Sequence, residues 1–174
     1  MKNTKKIALA AILSALGVVI LLLGSILTVL DLTMVAIASL LIMLAVMEIG
    51  GGYPYLIWMV TSVLSLVMLP YKFPALLYLI FGGIYPILKS MFERLHYVIS
   101  WILKFSYFNL MMIVLILACN YVFNIPDTGL GFTWVVFLVC NGVFVLYDIA
   151  ATQLATFYLI KLRKMLGMKN FFKN

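Results

Sequence analysis

The spacing of breaks constrains this chain more than any motif in it. Apolar runs of about 18 residues or more, each long enough to cross a ~30 Å hydrocarbon core as a helix, are separated by a few polar, Gly or Pro residues. Continuous apolar runs of this length read as spanning helices. Composition agrees: 67% of the residues are hydrophobic and mean hydropathy is +1.23.

The breaks predict six spans, at about 7–30, 32–49, 53–69, 73–89, 101–123 and 132–160. Asp31, the Gly50-Gly51-Gly52 triplet, Pro70-Tyr71-Lys72 and the Asn124–Gly129 turn punctuate them. With the N-terminus in the cytoplasm, the inner side receives Lys2, Lys5, Lys6, Lys89, Arg94, Lys104, Lys161, Arg163, Lys164, Lys169 and Lys173, leaving only Lys72 outside. That asymmetry satisfies the positive-inside rule and predicts one all-α domain with both termini cytoplasmic, in a bacterial plasma membrane. The first run is too long for a signal-peptide core and is kept as a span. The net charge of +7 meets anionic lipid and needs no nucleic acid. The basic and apolar stretch after Lys161 is expected to lie along the inner leaflet, and the connection at about 90–100 to form an interfacial helix or a turn and helix.

Chemistry has few starting points. His96 is the single histidine, and Cys119 and Cys140 sit at different depths in their spans, so no metal, haem or other cofactor is expected. A nucleophile with a base at membrane depth cannot be assembled, and no phosphate-binding Gly-x-x-x-x-Gly-Lys loop is present, so the chain reads as a non-enzyme.

Polar residues inside the spans carry the remaining signal. Asp148 is 13 residues before Lys161, roughly 20 Å along a helix, and is costly at that depth. Asn141 and Asp148 share a face, with Tyr147 adjacent; Asn109 and Asn120 share one on the preceding span. Counting from Lys104 sets Asn120 near the depth of Asp148. The fourth span contains Gly82-Gly83-Ile84-Tyr85-Pro86, where Pro86 must interrupt the helix, and Tyr78 and Tyr85 lie about two turns apart. Two readings stay open. Asp148, Asn141, Asn120, Tyr78, Tyr85 and Tyr147 form a substrate pocket, or Asp148 is satisfied by neighbours and locks the bundle. Glu48 is expected at a helix end. In the first span Ala8, Ala11 and Ala15 make one small-residue face, and Ala10, Ser14 and Gly17 the next.

The basic N-terminus leading into Ala11-x-x-x-Ala15, with six short-looped spans in 174 residues, resembles the substrate-binding S component of energy-coupling-factor (ECF) transporters. That resemblance implies a small-molecule cargo such as a vitamin, held toward the outer side. It implies that Ala8, Ala11 and Ala15 contact a membrane coupling subunit served by a pair of ATPases. The short 28–33 connection departs from the longer gating loop common in that family. Size and span number equally fit a cell-envelope scaffold resembling MreD, without cargo.

Overall fold

The computed structural model describes residues 2–118 and 134–162, and among these every regular element is helical. The elements are α1 (Lys2–Ile26), α2 (Asp31–Glu48), α3 (Tyr53–Met68), α4 (Phe73–Leu77), α5 (Tyr85–Phe92), α6 (Tyr97–Leu117) and α7 (Trp134–Phe157). A π turn, Tyr78–Gly82, links α4 to α5, and another, Tyr158–Leu162, prolongs α7. Five helical stretches are long and apolar enough to cross a membrane: Thr4–Ile26, Asp31–Glu48, Phe73–Phe92, Tyr97–Leu117 and Phe137–Lys161. The sixth expected span, α3, has 16 residues, about 24 Å of helix, which falls short of the ~30 Å core.

Each break has a local cause. Gly50 and Gly51 have φ of 63° and 62°, a left-handed pair that a side chain would strain, and they end α2. Pro54 and Pro74 stand in the first turns of α3 and α4, where the missing N–H is harmless. Lys72 Nζ donates to the carbonyls of Leu66 (2.8 Å) and Leu69 (2.6 Å) at the end of α3. Ser25 Oγ exchanges two hydrogen bonds with the backbone of Tyr71, fixing the end of α1 to the α3–α4 turn. Of the two forms expected near 90–100, the connection takes the turn and helix: α5 ends at Phe92, a turn follows, and α6 begins at Tyr97, four residues earlier than the expected boundary at Trp101.

The interruption expected around Pro86 is present, and its polar groups are satisfied within the bundle. Gly83 N–H donates to Tyr78 O at 2.8 Å, one residue beyond the α-helical partner. The carbonyls this leaves over are taken by side chains: Trp58 Nε1 donates to Leu79 O (3.1 Å) and Tyr107 Oη to Ile80 O (3.0 Å). Gly82 and Gly83 allow close packing rather than slack. A Cβ on Gly82 would stand 2.6 Å from Val35 Cγ1, and one on Gly83 2.2 Å from Trp58 Cδ1. Tyr107→Phe strands the Ile80 carbonyl without altering the ring. The expected loss is about 1 kcal/mol in a detergent-unfolding titration, a typical value for a hydrogen bond between membrane helices; an unchanged midpoint would show that water reaches the break.

Packing is uneven. Helices α1, α2 and α3 form the tightest group, with α4 and α5 against α2. Leu21, Val35, Ala38, Ile42 and Ile57 are at its centre. The two small-residue faces of α1 diverge. Ala10, Ser14 and Gly17 are buried, and a Cβ on Gly17 would meet Thr61 Cγ2 at 3.0 Å. Ala8, Ala11 and Ala15 are exposed. Helices α6 and α7 lean on this body through few contacts and turn Ile102, Leu110, Leu138 and Leu146 outward.

Candidate functional site

The helices alternate in direction, so the start of α1, the α2–α3 turn, the α5–α6 turn and the end of α7 gather at one end of the bundle. Lys6 Nζ lies 5.9 Å from the Tyr53 ring, and Tyr158 Oη donates to Glu48 Oε1 at 3.1 Å. Glu48 is thus a helix-end partner. The polar site opens at this N-terminal end.

Asp148 on α7 is 2% exposed and is surrounded by cations from two other helices. Lys104 Nζ, on α6, donates to Asp148 Oδ2 at 2.9 Å. Lys89 Nζ, on α5, pairs with Asp148 Oδ1, donates to Thr152 Oγ1 at 2.8 Å and lies 3.2 Å from the Asp148 carbonyl. Tyr85 Oη donates to the same Oδ1. Glu93, just beyond α5, supplies the second carboxylate: its Oε1 is 2.9 Å from Lys89 Nζ and 3.3 Å from Lys104 Nζ. Two ammonium groups and two carboxylates leave the cluster neutral. Neutrality and complete hydrogen bonding are what allow charges to persist where desolvation costs several kcal/mol per ion.

The charge count reads Lys89 and Lys104 as exposed anchors, and the structure corrects this: both are buried inside the bundle. They are 1% and 4% exposed, and Lys104 lies more than a turn inside α6. Depth counted from Lys104 as a surface marker was therefore misplaced. In the antiparallel α6–α7 pair, Lys104 stands opposite Asp148 and Asn109 opposite Asn141, whose Nδ2 donates to Asn109 Oδ1 at 3.0 Å. The two polar stripes do face each other, but Asp148 is level with Lys104. Asn120 lies outside the described residues.

The other sequence candidates separate. Tyr85 touches Asp148. Tyr147 packs its ring 5.9 Å from that of Tyr85, while its hydroxyl reaches Ser39 Oγ on α2 at 2.5 Å. Ser39 Oγ also donates to Ala36 O, so the tyrosine supplies the proton of the pair. Asn141 lies two turns along α7 from Asp148. Tyr78 is in the core of the α1–α3 group with Val35 and Ile57, apart from the charges. Above the cluster Phe81, Tyr85, Tyr107, Phe108 and Phe144 form an aromatic layer, with Phe108 and Phe144 stacked at 4.4 Å. It separates the charges from the far end of α6 and α7.

A cleft of about 390 Å³ reaches Lys104 and Asp148 from the N-terminal end. Glu93, Tyr97, Trp101, Thr152 and Gln153 are among its walls. Of the sequence candidates, only Asp148 lines it. It opens at the end opposite to that expected for an S-component cargo; at that other end α6 and α7 lead into 119–133, outside the described residues. Cys140 carries no disulfide, and among the described residues no three His, Cys, Asp or Glu side chains converge as metal ligands.

The chain matches no family model, no curated protein and no solved structure.

Sequence reasoning missed Lys89, Lys104 and Glu93. The Lys89–Glu93 spacing of four was visible as a helical ion pair, but a lysine near the end of an apolar run is ordinarily an interface residue.

Proposed function

We infer that the protein is a membrane-embedded binding subunit for a small molecule, in a bacterial plasma membrane with both termini cytoplasmic and the cleft on the cytoplasmic side; the resemblance to an ECF S component rests on the helical architecture and the α1 face, not on the cleft. The carrying observation is a cleft of small-molecule size ending on two buried, oppositely charged side chains, Lys104 and Asp148. The exposed Ala8, Ala11 and Ala15 face of α1 supports a role with partners, because a helix can approach it closely. In this reading a membrane coupling subunit and a pair of ATPases act in trans, and the lipid bilayer surrounds the rest.

A scaffold role resembling MreD is favoured by a different observation: Asp148 already has Lys89, Lys104 and Tyr85 as partners. Gentle affinity purification from native membranes, read by mass spectrometry, separates the two. The binding-subunit reading expects a coupling subunit with its ATPases. It also expects Ala11→Leu with Ala15→Leu to cut their recovery about tenfold, the effect of roughly 1.4 kcal/mol at a packed helix interface. Envelope proteins without any ATPase, unaffected by those substitutions, support the scaffold instead.

A further inference from the structure

The charges at the cleft differ in how firmly they are held. Lys89 and Lys104 are buried, and Asp148 is buried between them. The second counter-charge, Glu93, comes from the turn after α5 with 42% of its side chain exposed. One oxygen, Oε1, serves both lysines, and its longer contact, 3.3 Å, is the one to Lys104. If Glu93 swings away, two ammonium groups face one carboxylate, and the cluster, of which Lys104 and Asp148 reach the cleft and Lys89 stands behind them, carries a net charge of +1. In a poorly solvated site that charge selects an anion, and a cationic ligand would be repelled.

The walls describe the rest of the ligand. The Lys104 ammonium lies 5.3 Å from the centre of the Trp101 ring, and Leu95 and Ile149 add aliphatic surface. A volume of about 390 Å³ suits a body of a dozen or so heavy atoms.

We propose that this cleft binds a small amphipathic monoanion, a carboxylate or phosphate ester on an apolar body, whose oxygen replaces Glu93 Oε1 on Lys104. Glu93 then acts as an internal stand-in that keeps the cluster neutral when the ligand is absent. The proposal rests on the binding-subunit reading and narrows its ligand class. A free metabolite and an anionic lipid headgroup present the same chemistry, and the choice of bilayer distinguishes them.

The test is calorimetry on the full chain in phosphatidylcholine nanodiscs near neutral pH. Three probes with the same apolar body are titrated: phenylacetate, phenylacetamide and phenethylamine. Phenylacetate is expected to bind at least about tenfold more tightly than the amide or the amine, the margin of one charge-assisted hydrogen bond. Glu93→Gln, which leaves Asp148 and both lysines in place, is expected to tighten phenylacetate by about tenfold. Lys104→Met is expected to abolish the preference for the anion. In phosphatidylglycerol discs, unchanged phenylacetate binding identifies a soluble ligand, and loss of it by competition identifies a lipid headgroup; either is consistent with the anion site. Amide or amine binding as tight as phenylacetate overturns the anion class while leaving a binding subunit. Absence of binding to both the parent protein and Glu93→Gln, in phosphatidylcholine discs, overturns the site. The binding-subunit reading stands or falls separately, on recovery of the ATPase pair.

Discussion

Asp148→Asn is expected to lower folding stability by about 3–5 kcal/mol, because it keeps the shape of the side chain and leaves two buried lysines with one shared, half-exposed carboxylate. The cluster passes from neutral to +1. A second substitution, Lys104→Met, returns it to neutral, with Lys89 opposite Glu93. The double variant is therefore expected to be more stable than the sum of the two single losses predicts, by about 1–3 kcal/mol, the coupling typical of side chains in one ionic network. Unfolding in mixed micelles, followed by circular dichroism, measures all three variants. A loss below about 1 kcal/mol for Asp148→Asn, near the value of a solvent-exposed pair, would show that water enters through the cleft and screens the charges. Neighbouring hydrogen bonds set the scale of the expected result: Tyr85 donates to the Asp148 carboxylate and loses that charged acceptor, while Thr152 bonds Lys89 and the Asp148 backbone carbonyl and keeps both partners.

The next largest effect is expected at Gly83. An alanine Cβ there would stand 2.2 Å from Trp58 Cδ1, so the indole must move, and its Nε1–H leaves the Leu79 carbonyl. Overpacking and a stranded carbonyl together are expected to cost about 2–4 kcal/mol. Trp58→Leu in the same chain gives the methyl room, so most of the added cost of Gly83→Ala should vanish in that background. Gly142→Ala is the control: nothing lies within 4 Å of its Cβ, and alanine is the better helix former. Equal losses at Gly83 and Gly142 would mean that the break tolerates a side chain and that the Trp58 contact does not hold it.

The elements that could be read from sequence were those with a local cause. The Gly50-Gly51-Gly52 break, the proline starts of α3 and α4, and the interruption before Pro86 follow from backbone rules acting within a few residues. The burial of Asp148 followed from its distance to the end of an apolar run. Its partners did not. Lys89 and Lys104 lie near the ends of their runs, where a surface role and a buried role leave the same trace in hydropathy. Only the pairing of α5, α6 and α7 decides between them, and that pairing joins residues 44 and 59 positions apart. The boundary of α6 compounded the problem: beginning the helix at Trp101 sets Lys104 in its first turn, whereas the observed start at Tyr97 carries it inward. Tyr78 and Tyr85, about two turns apart in sequence, are expected in one pocket, but the π turn that starts at Tyr78 leaves one in the α1–α3 core and the other on Asp148.

The arrangement of the ionic cluster also bears on biosynthesis. Translation delivers Lys89, Glu93 and Lys104 to the membrane before the second carboxylate of the cluster, since Asp148 follows Lys89 by 59 residues and Lys104 by 44. Lys89 is in the last turn of α5 and Lys104 seven residues into α6, so each long flexible stem can turn its ammonium toward the α5–α6 end while it waits. Asp148 has only a short aliphatic reach and enters last, when both cations are already in position. The α1–α3 group, made entirely from the first 68 residues, can pack before either lysine is needed. Helices α6 and α7 then close onto a finished platform, and Asp148, the last of the cluster's four charges to be synthesised, completes it.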